Sequence, residues 1–297
     1  MSGGERGRPA KTGGKPGKNG EGLISRMAVS LFSQVSPFPR SSPCRYVAIG
    51  DSSTEGLDDP DGMGGFRGWA NRLAERIAAA QGEVLYANLA VRGRSTRQIR
   101  ETQLAPALAM RPDLVTLFSG TNDVVRRGFD PARVAGDVRE MHRALIGQGA
   151  TLLTFTLPDL APVMPAARWI APRVELLNRI LREVSAESGA LLVDLASHPV
   201  ATDPRLWSDD RLHANSLGHE RIAAALAQAL GLPDTDLSWS EPLPVLPPTG
   251  LTARLASELR WARRYFMPWV WRHLHGRSSG DGRQPKRPKL ELLKPEG

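Results

Sequence analysis

Five short apolar runs, spaced by segments of helical period, constrain this chain more than any other feature. They are RYVAIG from Arg45, VLYANLA from Val84, DLVTLFSG from Asp113, ATLLTFTLP from Ala150 and ALLVDLA from Ala190. Apolar residues recur at helical spacing over Trp69–Gln81, Thr96–Leu108, Pro131–Gln148, Val174–Ser188 and Ser216–Leu230. Strands that are apolar throughout need cover on both faces, so the pattern predicts a single three-layer α/β/α domain around a parallel five-stranded sheet. Ligands bind such sheets beyond the carboxyl ends of the strands, which directs attention to the loops that follow each run.

Composition divides the 297 residues accordingly, and 41% hydrophobic content suffices for a substantial core. Residues 1–43 are rich in Gly, Lys, Arg, Ser and Pro without apolar periodicity, which predicts a disordered basic tail. The folded domain spans 44–231, followed by a Pro-rich linker at 232–250, an aromatic and basic amphipathic segment at 251–275 and a polar, disordered tail at 276–297. The net charge of +8 belongs to the ends: residues 1–44 carry +5, residues 251–297 carry +7, and residues 45–250 are left with −4 and no lysine. A specific nucleic-acid function is therefore not expected of the folded body. One cysteine, Cys44, excludes an internal disulfide framework and favours a reducing, cytoplasmic location. Arg26 and several serines interrupt the only candidate export segment, around Leu23 to Val35, and Met27 is an alternative start.

Four loops gather residues suited to one reaction. After the first run comes GDSSTEG, after the second NLAVRGRS (Asn88–Ser95), after the third SGTND (Ser119–Asp123), and near the domain end DDRLHANSLGH (Asp209–His219). Ser52 offers a hydroxyl, His213 a base that titrates near neutrality, and Asp210 a carboxylate able to orient that imidazole. Gly93 lets a backbone N–H approach a ligand closely, and the Asn122 amide can donate to the same point. Asn88 and Asp51 are expected to fasten the second loop and the first turn, and His219 to be structural. No G-x-S-x-G elbow or H-E-x-x-H pair occurs, and GMGGFRG (Gly62–Gly68) misses the dinucleotide spacing and reads as a mobile loop. No metal and no cofactor are expected.

In these four blocks, over Tyr46–Leu230, the chain resembles the SGNH hydrolases, the GDSL-type lipase and esterase family. The resemblance implies a flavodoxin-like sheet and a catalytic triad of Ser52, Asp210 and His213. It also implies an oxyanion hole made by the N–H groups of Ser52 and Gly93 with the Asn122 amide. The leucine that follows GDS in the family name is Ser53 here, and the D-x-x-H spacing selects Asp210 over Asp209. Family members cleave O-acetyl groups from sugars, short acyl esters, lysophospholipids and thioesters, so a small or medium ester is the expected substrate. LPDLAPVMPAARW from Leu157, with Met164 and Trp169, should form a partly apolar wall of the cleft, and GLDDPDGMGGFRGW should border it too. A rival reading assigns the role to the basic and aromatic tails, with 251–275 resting weakly on an anionic membrane surface or the tails binding a polyanion, and the hydrolase domain acting on a lysophospholipid or thioester. Its alternative is an extra helix packed on the domain and broken at Pro268.

Overall fold

Alternation along the first strand sorts the core into two layers. In β1 (Cys44–Gly50), Tyr46 and Ala48 face one side of the sheet and Val47 and Ile49 the other, all buried. The computed structural model describes residues 38–39, 41–245, 251–268 and 279–295, together with Met1 and Gly3. All but the last two belong to one unit, residues 37–297.

The other strands are β2 (Val84–Asn88), β3 (Leu114–Phe118), β4 (Thr151–Phe155), β5 (Leu191–Val193) and β6 (Arg287–Leu293), in the order β5-β4-β3-β1-β2-β6. The first five are parallel, as expected. On the Tyr46 face lie α2 (Gly68–Gln81), α6 (Ala171–Ser188) and α7 (Ser216–Ala229), which contribute Trp69, Leu73, Leu177, Leu181 and Leu226 to the core. On the Val47 face lie α3 (Thr96–Ala109) and α5 (Pro131–Gly147), with Ile99, Leu104, Met141 and Leu145. Local chemistry starts these helices where the sequence signals it: Ser95 forms a capping box with Gln98, Asp130 caps α5 ahead of Pro131, and Asn215 caps α7. Two short helices open directly from strand ends, α1 (Ser52–Glu55) after β1 and α4 (Thr121–Val125) after β3.

The C-terminal residues depart from expectation. Part of the stretch read as a disordered tail forms β6, antiparallel to β2, pairing Val84 with Leu293 and Tyr86 with Glu291. A strand at a sheet edge is held by backbone hydrogen bonds and tolerates Pro, Lys and Arg, so RPKLELL lacks the apolar density that marked the central strands. Lys286 donates to the carbonyl oxygens of Phe66 and Arg67 at 2.8 and 2.9 Å, and a Cβ on Gly280 would lie 1.9 Å from the Arg92 carbonyl oxygen. These contacts tie the segment to the loop at Gly62–Gly68 and to the second loop.

In the expected linker, Trp239 is buried and donates to Gln228 Oε1 at 2.8 Å. In the aromatic and basic segment, helix α8 (Leu251–Trp261) continues through a π-helical turn, Ala262–Phe266, to residue 268. Residues 4–37 with Met27, 246–250 and 269–278 lie outside the described residues. Among the described residues no helix is long and apolar enough to cross a membrane.

Candidate active site

At the end of β1 the backbone is packed too closely for any side chain on Gly50: a Cβ there would lie 2.2 Å from Thr54 Oγ1 and 2.6 Å from the Phe118 carbonyl oxygen. The chain then turns at buried Asp51, whose carboxylate accepts from Ser53 N–H at 3.1 Å and caps α1. Ser52 is thereby the first residue of a one-turn helix at the carboxyl edge of the sheet. His213 comes to it from the turn before α7. Asn215 shapes that turn, its amide donating to the carbonyls of Arg205 and Trp207 and its oxygen accepting from Gly218 N–H.

A chain of short hydrogen bonds results. His213 Nδ1 lies 2.6 Å from Asp210 Oδ2 and Nε2 lies 2.8 Å from Ser52 Oγ. With Nδ1–H donating to the carboxylate, Nε2 is left to accept from the serine hydroxyl. Asp210 Oδ1 accepts from Leu212 N–H at 2.8 Å and from His213 N–H at 3.0 Å, which locks the carboxylate in place. Burial opposes a charged imidazole at His213, but the Asp210 hydrogen bond and the charges of Asp210, Asp58 and Asp51 outweigh it and raise its pKa. Burial would likewise raise Asp210, yet its bonds from His213 and Ser208 hold the carboxyl well below the usual range. At Asp51 burial prevails over the Ser53, His213 and Asn122 interactions and pushes the carboxyl up to about 7. The arrangement can take a proton from Ser52 as its oxygen attacks and can stabilise the imidazolium that forms.

The second and third loops are built against this turn. Asn88 donates to the Thr54 carbonyl at 2.8 Å and accepts from Ala90 N–H at 3.0 Å, joining β2 to α1. Glu55 accepts from Arg92 N–H at 2.8 Å and pairs with the Arg92 guanidinium, holding the approach to Gly93. Gly93 has φ +73, which favours glycine, and its carbonyl accepts from Arg126 at 2.9 Å. Asp123 accepts from both N–H and Oγ1 of Thr96 at 2.8 and 2.9 Å, linking the third loop to the second. Asn122 Nδ2 lies 3.2 Å from Asp51 Oδ2 and 3.0 Å from the Arg94 carbonyl oxygen, so both of its N–H bonds have partners here. His219 is buried, accepting from Trp69 N–H and donating to the Leu57 carbonyl, a structural placement; burial lowers its pKa to about 4.

Sequence reasoning missed Asp58 and Ser208. Ser208 Oγ lies 2.7 Å from both Asp58 Oδ2 and Asp210 Oδ1, one hydroxyl hydrogen between two carboxylates, and Asp58 Oδ2 lies 3.9 Å from His213 Nδ1. Asp58 has φ +65, unusual for a residue with a side chain. Asp58, Asp210 and His213 bring potential metal-ligand atoms within 4.8 Å of one another, but the imidazole and Asp210 are already committed to the Ser52 chain.

Two hollows adjoin these residues. A cavity of about 70 Å³ beside Ser52 is lined by Phe118, Phe155, Leu157, Leu195 and Leu206. Residues 164–170 and the helix from Leu251 enclose a groove of about 320 Å³, bordered by Met164, Trp169 and Leu212. Leu157, Met164 and Trp169 border these hollows as expected, whereas no residue of GLDDPDGMGGFRGW lines either, although Asp58 Oδ2 lies 3.9 Å from His213 Nδ1.

Residues 48–221 match the GDSL-like lipase/acylhydrolase family. The chain belongs to this family. The GDSL hydrolase is 30% identical over 199 residues to GDSL lipase Rv0518 of Mycobacterium tuberculosis (strain ATCC 25618 / H37Rv), covering 63% of its own length and 81% of that protein. It is 25% identical over 211 residues to an acetylxylan esterase of Geobacillus stearothermophilus, covering 63% and 94%. The crystal structure of LAE5, an alpha/beta hydrolase enzyme from the metagenome of Lake Arreo, Spain, shares the fold at TM-score 0.55 and 22% identity, over 66% of this chain and 98% of that one. The protein is thus an esterase-type hydrolase.

Proposed function

We propose that the protein hydrolyses a small or medium ester, an O-acetyl group included, through an acyl-enzyme on Ser52. Ser52 Oγ attacks the ester carbonyl while His213 Nε2 takes its proton, with Asp210 holding the imidazole and its developing charge. The oxyanion is met by the N–H groups of Ser52 and Gly93 and by the Asn122 amide, which gives up its long bond to Asp51. As the tetrahedral intermediate collapses, the C–O bond breaks and His213 returns the proton to the leaving alcohol. Water, deprotonated by His213, then attacks the acyl-enzyme and releases the acid and free Ser52. The observation that carries this reading is the unbroken chain Ser52–His213–Asp210, at 2.8 and 2.6 Å. The narrow apolar cavity beside Ser52 favours a short acyl group, and the likeness to an acetylxylan esterase supports acetyl among them. Buried Cys44 fits a protein of the reducing cytoplasm.

Hydrolysis of p-nitrophenyl esters from acetate to palmitate, with fluorophosphonate labelling, tests it. Wild type should turn over and be labelled, and Ser52→Ala should do neither. Activity surviving in Ser52→Ala removes the serine from the mechanism.

A further inference from the structure

Helix α8 and its continuation reach the Asp210–His213 turn from outside residues 48–221, the stretch that carries the family likeness. Trp261 Nε1 donates to the Asp210 carbonyl oxygen at 3.1 Å, and the Arg211 guanidinium stacks 4.9 Å from the Trp261 ring centroid. Arg211 also pairs with Glu258 at 2.7 Å. These three contacts fasten the helix beside the turn and make it one side of the 320 Å³ groove, with Trp261 and Tyr265 facing Met164 and Trp169. Leu212 lines both this groove and the cavity beside Ser52, so the two meet at the residue before His213.

We propose that the groove binds a hydrocarbon arm of the ester, and that the C-terminal helix thereby sets the chain length the enzyme prefers. The inference rests on the ester-hydrolase reading above. The lining decides the chemistry of the occupant. Among the described residues, Arg264, Asp210, the Tyr265 hydroxyl and the indole N–H groups of Trp169 and Trp261 are its polar side-chain groups; Asp210 is committed to His213, Trp261 Nε1 to the Asp210 carbonyl, and Arg264 Nε to Tyr265 at 3.2 Å. A sugar ring needs a partner for most of its hydroxyls and finds few here, whereas a methylene chain needs none. Trp169 lies 77% exposed at the groove and gains cover from such a chain. Each methylene taken from water in the transition state raises kcat/KM about fourfold.

Two substrate series separate the sources of the arm: p-nitrophenyl esters from acetate to decanoate for the acyl side, and acetates from ethyl to octyl for the alcohol side. In wild type, kcat/KM should rise with length in one series. Trp169→Ala and Trp261→Ala should at least halve the logarithmic slope of that rise. Trp261→Phe, which keeps a ring without the N–H, should preserve it, as should Arg263→Ala, an exposed position outside the lining. An unchanged slope in both Trp→Ala variants overturns the proposal, as does an equal loss at every length. So does wild-type activity confined to acetylated xylose oligomers. If Ser52→Ala stays active and the hydrolase reading fails, calorimetric titration with sodium decanoate still decides. Saturable binding that Trp261→Ala loses supports the groove, and its absence in wild type refutes it.

Discussion

In the proposed mechanism Ser52 faces two kinds of neighbour, the imidazole 2.8 Å away that would activate it and the groups that would receive the charge it creates. On the second side Asn122 donates to Asp51 Oδ2 at 3.2 Å and to the Arg94 carbonyl at 3.0 Å, and in the proposed mechanism one of these hydrogens turns to the oxyanion. Asn122→Ala is expected to lower kcat about 10² to 10³-fold with a modest change in KM, and unchanged turnover would take the amide out of the oxyanion site. On the first side, Asp58 adds a negative charge 3.9 Å from His213 and is one of the influences that raise its pKa. Asp58→Asn removes that charge, so His213 should stay neutral to lower pH and the acid limb of the kcat/KM profile should move down. A limb that stays in place would mean Asp210 alone sets the titration. That Ser52, Asp210 and His213 would meet was legible because each sits in a short block that matches the family's pattern. Asp58 and Ser208 were not, because their meeting spans 150 residues and nothing in GLDDPDG distinguishes its first aspartate, Asp58, from Asp59 and Asp61.

At the scale of elements, the five central strands and the helices between them were legible within a few residues, since apolar density and helical period both report burial. α1 and α4 were not, being single turns just beyond strand ends, α1 capped by Asp51 and α4 opening at Gly120 without a side-chain cap. β6 was not, because its stabilisation is backbone pairing. The segment leading into β6 also carries a charge in an unfavourable place: burial lowers the Lys286 pKa to about 7 from 10.5, although Nζ donates to two carbonyls. Between those values the unfolded chain binds the extra proton, so this lysine makes stability rise with pH from about 7 toward 10.5. Urea unfolding at pH 7 and pH 9 should show that gain in wild type and a smaller one in Lys286→Met. Equal differences in the two proteins would show that the ammonium is solvated.

For the whole molecule, acid is the more dangerous direction. His142 and His219 are both buried and lowered by burial to about 4 from 6.5. The unfolded chain protonates them first, so stability falls as pH drops from 6.5 toward 4, on the order of 3 kcal/mol for each. Asp51, raised to about 7, acts in the opposite sense between its ordinary 3.8 and 7. His142→Leu, remote from Ser52, should flatten the decline measured by urea unfolding between pH 6.5 and 4.5, and an unaltered decline would assign it to other groups. The antiparallel strand at the sheet edge has a consequence for how the molecule is made. Until Arg287–Leu293 have been synthesised, β2 has a bare outer edge, although its other side can already pair with β1. With about 200 residues between the two strands, translation at about 5–20 residues per second leaves that edge open on the order of 10–40 s on each ribosome. During that interval it offers the nascent chain a place to pair with its neighbours on the same message, and a chaperone something to cover.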